Sequence, residues 1–209
     1  MSLESDSSCA VTDAMLEDGA QNMNDLINGL ESAESLDANA VYVDLADNIS
    51  VFTEALDGRK RRITAQVKIP HQPESIWQIL THYESLADFI PNLSESTRIE
   101  HPSGGIRILQ VGSENLLKLK FCAKVVLDMV ESFPHRLDFN MVEGDFREFS
   151  GYWALQPVAM NNQTGTSLEY VLDVVPHRLM PIGIIERKLS ENLKVNLASI
   201  YHQAEALFH

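Results

Sequence analysis

The chain has 209 residues, 44% of them hydrophobic and 22% charged, and a formal net charge of −14. Eleven acidic residues and no Lys or Arg lie between Met1 and Asn48, which leaves −3 for residues 49–209. A near-neutral body with an acidic flank excludes a nucleic-acid binder, which needs a basic face to displace counterions.

The N-terminal stretch, residues 1–40, is rich in Ser, Asp, Asn, Glu and Ala. Such a composition buries too little apolar surface to offset its ordering entropy, so a disordered acidic segment is expected. Met15, Leu16, Met23, Leu26, Ile27 and Leu30 leave room for one or two short helices that dock on a partner protein or over a pocket. The stretch lacks the basic and apolar regions of a secretory signal. No apolar run reaches the roughly 18–20 residues of a membrane-spanning helix. The two cysteines, Cys9 and Cys122, are too few for a disulfide framework or a zinc site and fit a reducing compartment. A cytoplasmic location is expected.

Residues 41–209 read as one folded domain. Ile49 to Asp57 and Arg59 to Ile69 are strand-like runs joined at Asp57-Gly58, a hairpin signal because the turn demands positive φ. Ile63, Ala65, Val67 and Ile69 alternate with polar residues, which gives the second run one buried face. Pro70 and Pro73 end it, and Glu74 to Thr81 forms a short helix with Pro73 in its first turn. A second short helix, from about Tyr83 to Phe89, stops at Ile90-Pro91.

A meander follows. Ser94 to His101 and Ile106 to Val111 pair around Pro102-Ser103-Gly104-Gly105. Leu117 to Val130 alternates apolar and polar residues, with Leu117, Leu119, Phe121, Ala123, Val125, Leu127 and Met129 on one face. Leu137 to Val142, Phe146 to Leu155 and Ser167 to Val175 complete the strands. Met180 to Phe208 is one amphipathic helix, with Ile182, Ile185, Leu189, Leu193, Leu197, Ile200, Ala204 and Leu207 on its apolar stripe. Glu186, Asn192 and Asn196 are among the residues assigned to its remaining surface. The oily stripe must lie on the strands before it, and a single helix on a curved sheet encloses a pocket.

The wording of several segments carries a resemblance. Ile69-Pro70, Ile76-Trp77-Gln78-Ile79-Leu80-Thr81 and Leu86-Ala87-Asp88-Phe89-Ile90-Pro91-Asn92-Leu93 are similar to the opening of START-like proteins. Glu143-Gly144-Asp145-Phe146, Phe149-Ser150-Gly151-Tyr152-Trp153-Ala154-Leu155 and the long last helix after Pro181 are similar to their second half. Over roughly residues 49–207 the chain resembles polyketide cyclase/dehydrase-type and coenzyme-Q-binding-like proteins of photosynthetic bacteria and plastids. The resemblance implies an α+β helix-grip (START/Bet v 1-like) fold, a curved antiparallel sheet wrapped around the C-terminal helix with a cavity between them.

On that expectation Leu119, Phe121, Val125, Phe139, Met141, Met180, Ile184, Ile185 and Leu189 are the lining candidates. Arg147, Tyr152 and Tyr170 are the polar candidates that face a ligand. Phe146 to Leu155 is apolar on both faces, so its inward side stays open, and Arg147 and Glu148 must point opposite ways. The seven histidines show no metal-binding spacing, no Ser or Cys stands in a nucleophile elbow, and no Gly-rich phosphate loop follows a strand. No metal and no cofactor are expected.

The expected function is binding or transport of a hydrophobic small molecule, such as a lipid, an isoprenoid quinone or a pigment-like compound. Ligand is expected to pass between residues 176–184 and the loop at 88–93. There His177-Arg178-Leu179-Met180-Pro181 offers a lip for transient membrane-surface contact. The alternatives are a polyketide-type cyclase or dehydratase, and an interaction module that captures a protein partner through the acidic segment.

Overall fold

The computed structural model of the chain describes residues 48–116, 119–160, 163–178 and 180–208, with residues 114–116 and 119–121 described by backbone alone. The expectations for residues 1–40 lie outside this range. Strands β1 (Ser50–Ala55) and β2 (Arg61–Ile69) form the first hairpin. Gly58, at φ 60°, takes the left-handed turn conformation, and the Lys60 amide closes the turn on the Asp57 carbonyl at 3.1 Å. The alternation in β2 holds throughout, since Ile63, Ala65, Val67 and Ile69 are each at most 1% exposed.

Helix α1 (Pro73–Thr81) has its proline at the first helical position, where no backbone N–H is missed. It buries Ile76, Trp77, Ile79 and Leu80. The expected second helix is a 3₁₀ turn, Tyr83–Ser85, followed by the single-turn helix α2, Leu86–Phe89. Ile90 is extended, as the following proline requires.

The chain then runs through β3 (Leu93–Ile99), β4 (Ile106–Leu116), β5 (Leu119–Ser132), β6 (Arg136–Gly144), β7 (Glu148–Met160) and β8 (Gln163–Val175). With β1 and β2 they make an antiparallel sheet of order β1-β2-β8-β7-β6-β5-β4-β3, in which β2 pairs with β8 and joins the first hairpin to the last strand. The sheet is curved and holds the long helix α3 (Ile182–Leu207) on its concave side, so the architecture is α+β helix-grip.

Helix α3 begins two residues later than the periodicity predicts, because Pro181 occupies the N-cap. Leu193, Leu197, Ile200 and Ala204 are at most 2% exposed, whereas Leu207 at the frayed end is 57% exposed and leaves the stripe. Arg59 at the β1–β2 turn donates through Nη2 to the carbonyls of His177 (2.9 Å) and Met180 (2.5 Å). Arg61 Nε pairs with Glu186 Oε2 at 2.8 Å, so Glu186 is a fastener of the helix to β2. Among the described residues no helix is long and apolar enough to cross a membrane.

Candidate ligand-binding cavity

Where α3 stands off the centre of the sheet, a cavity of about 180 Å³ remains. Its walls follow from strand parity. Along β5 the inward residues Ala123, Val125, Leu127 and Met129 border it, and along β6 Leu137 and Phe139 do so. Ile108, Gln110 and Gly112 of β4 continue the wall. Tyr170 and Leu172 on β8 and Phe149 and Trp153 on β7 form the far side. Leu80, Tyr83, Leu86, Ile90, Asn92 and Leu93, from the short helices and the loop after them, close one end. Helix α3 covers the space with Leu189, Asn192, Leu193, Asn196 and Ile200, a single face at helical spacing.

Five aromatic rings cluster on the sheet side. Trp153 stacks on Tyr170 with centroids 3.7 Å apart and planes inclined by 16°. Phe139 meets Tyr170 edge-on at 5.9 Å and Phe149 at 5.8 Å, and Phe146 stacks on Phe149 at 5.3 Å. These are favourable ring geometries that hold the wall rigid. Phe146 joins the cluster because residues 145–147 form a bend, which breaks the parity of a continuous strand.

The polar groups at the cavity are all uncharged. Asn92 Nδ2 donates to Asn192 Oδ1 at 2.9 Å, linking the loop before β3 to α3. Gln110 Nε2 donates to Ser96 Oγ at 3.2 Å. The Tyr83 hydroxyl donates to Glu131 at 2.8 Å; burial first, and then this contact, raises its pKa. Burial alone pushes the Tyr170 phenol well above its ordinary range, so it stays protonated at neutral pH. Asn196 Oδ1 is buried with no hydrogen-bond partner among the described residues.

Of the sequence-nominated residues, Val125, Phe139, Tyr170 and Leu189 line the cavity together. Leu119 and Phe121 occupy β5, and their side chains lie outside the described range. Met141 and Met180 are partly buried against the core and do not line the cavity, Ile185 is within the core, and Ile184 is partly buried on the first turn of α3. Arg147 is exposed in the bend before β7, with its backbone N–H on the Val175 carbonyl at 2.9 Å. Tyr152 sits on the opposite face of β7 from Trp153, bonded to Glu169 at 3.3 Å and covered by the Arg136 guanidinium at 3.7 Å.

Beside the expected passage at residues 176–184, Arg59 is hydrogen-bonded to the carbonyls of His177 and Met180. The loop at Ile90–Leu93 meets α3 farther along, at Asn192. The residues that sequence reasoning missed are chiefly Trp153 and the pair Asn192 and Asn196. The two asparagines stand four apart, and that spacing is the only signal the sequence holds for them.

A family model described as "Polyketide cyclase / dehydrase and lipid transport" matches residues 69–198. No curated protein matches the sequence. Among solved structures, a STAR-related lipid transfer protein from Xanthomonas axonopodis aligns over 77% of this chain and 95% of its own, at 13% identity and a TM-score of 0.60. A START superfamily protein from Mycobacterium smegmatis aligns over 70% of this chain and 98% of its own, at 14% identity and TM-score 0.59. The Zhui aromatase/cyclase from Streptomyces sp. R1128 aligns over 72% and 96%, at 14% identity and TM-score 0.58. At such identities the structural likeness speaks for the fold alone. The family model spans more than half of the sequence, and the chain belongs to the polyketide cyclase / dehydrase and lipid transport family, with its START-like helix-grip fold.

Proposed function

We propose that the protein binds a hydrophobic small molecule between its sheet and α3 and acts as a carrier or sensor of that molecule. The observation that carries this reading is the cavity itself, an apolar space between the sheet and α3 with its polar groups confined to a few uncharged amides and phenols. Ligand sites have this composition, and burying an apolar surface there contributes roughly 25 cal/mol per Å². Family membership and the lipid transfer protein among the structural neighbours support the same reading. The lining contains no carboxylate, histidine, cysteine, lysine or arginine among the described residues, so a binding role is favoured over acid–base turnover.

Filling the space tests the proposal. Ala123 lies on β5 opposite Gly112 of β4, with its side chain toward the cavity. Ala123→Phe is expected to abolish saturable uptake of hydrophobic ligands, read through the fluorescence of the cavity-lining Trp153. Its thermal midpoint should hold, since the ring enters open space rather than packed core. Unimpaired uptake in the stably folded variant would place binding elsewhere.

A further inference from the structure

We infer that Tyr170 fixes the ligand by donating its phenolic hydrogen to an acceptor oxygen, a ketone or ester carbonyl, on the hydrophobic molecule held in the cavity. This rests on the proposed binding role of the cavity and adds the chemical group that the ligand carries.

Strand β8 buries Leu168, Tyr170, Leu172 and Val174 at every second position, so the phenol enters the apolar side of the sheet among aliphatic neighbours. Register places Ala65 of β2 on one side of it and Trp153 of β7 on the other. The buried residues of β2, Ile63, Ala65, Val67 and Ile69, carry no side-chain polar atom. Trp153 lies on the Tyr170 ring at 3.7 Å, and Phe139 meets it edge-on at 5.9 Å. An indole accepts no hydrogen bond and a phenyl ring has no polar atom, so this packing holds the ring and leaves its hydroxyl unanswered.

A buried tyrosine ordinarily finds a partner for its O–H. Tyr83 does so at Glu131, and Asn92 and Gln110 donate to Asn192 and Ser96. Tyr170 is 8% exposed, and burial is the one influence on its ionisation, with no hydrogen bond and no neighbouring charge acting on it. At neutral pH it therefore keeps an intact, unspent donor. Its oxygen is not among the unpartnered side-chain atoms that are shut in, as Asn196 Oδ1 is, and the residue borders the cavity. The donor is thus open to whatever the cavity holds.

A carbonyl oxygen matches it, because it accepts a hydrogen bond without bringing a donor that needs an acceptor in turn. The Trp153 stack sets the phenol before a ligand arrives, so little further ordering opposes the bond.

The test is calorimetric titration of the full chain and of Tyr170→Phe, which keeps the ring and removes only its oxygen. The probes are 1-tetralone with its hydrocarbon match tetralin, and the straight-chain pair 2-octanone and 1-octene. In at least one pair the variant is expected to bind the ketone about fivefold more weakly than the wild type, the net value of one neutral hydrogen bond. The hydrocarbon of that pair should bind both proteins equally, which also shows that the variant is folded with its cavity intact. Infrared spectroscopy gives a second reading. The C=O stretch of the bound ketone should lie lower on the wild type than on the variant, and lower than in cyclohexane, a comparison that needs only the wild type.

Unchanged ketone affinity in Tyr170→Phe overturns the inference, as does an equal loss for ketone and hydrocarbon, or a cyclohexane-like C=O stretch on the wild type. Hydrocarbons that bind where neither ketone does overturn it too. Each of these results leaves the hydrophobic-carrier reading standing. Binding of none of the four probes to the wild type overturns the inference and counts against that reading as well.

Discussion

Gly151 makes the aromatic wall possible. It pairs with Phe139 across β6 and β7 and with Leu172 on β8. A Cβ there would stand 2.7 Å from the Phe139 ring and 2.0 Å from the Val171 carbonyl oxygen. Both approaches are far inside van der Waals contact, and the second involves backbone that cannot swing away. Gly151→Ala should therefore cost about 1–3 kcal/mol by overpacking and push Phe139 out of the wall. Chemical denaturation measures the first effect, and an unchanged midpoint would contradict it.

The neighbouring residues show how far a sequence reveals such a site. The burial of Ile63, Ala65, Val67 and Ile69 was legible because their alternation has only one apolar face. Trp153 and Tyr152 could not be assigned in this way, since β7 is apolar on both sides. Their facing is decided by the partner strands, where Tyr170 receives Trp153 and Glu169 receives Tyr152. Asn196 was illegible for the opposite reason. An asparagine on an amphipathic helix reads as solvent-facing, and only the position of the sheet shows that its side of α3 borders a cavity.

At the scale of elements, α3 has two jobs along one stripe. Leu197 is fully buried in the core, whereas Leu189 borders the cavity and is only partly buried. Leu197→Ala should cost about 2–5 kcal/mol, as core truncations do, while Leu189→Ala should cost less and enlarge the ligand space. Equal losses from the two would contradict this division of the helix.

Element boundaries depart from the sequence reading where local rules meet tertiary ones. Strand β7 runs to Met160 rather than stopping at Leu155, although Pro157 cannot donate to a ladder. The Leu155 amide bonds to the His135 carbonyl at 2.8 Å. Two residues on, Pro157 turns toward the same side, beyond the last β6–β7 pair at Arg136 and Ala154, where a donor has no partner to lose. On its other side Pro157 remains in register with Thr166 of β8.

For the whole molecule, the order of elements was enough to identify the architecture, because a hairpin, two short helices, a meander and one long helix close in few ways. The same order leaves a space between sheet and helix whose size depends on side chains. That space is where this chain's function resides in our account, and its direct test is native mass spectrometry of the full-length protein purified gently from its own cells, followed by organic extraction. A stoichiometric neutral hydrophobic adduct is expected on the wild-type chain and none on Ala123→Phe. A bare mass for the wild type, together with no saturable uptake of any hydrophobic compound added afterwards, would contradict it.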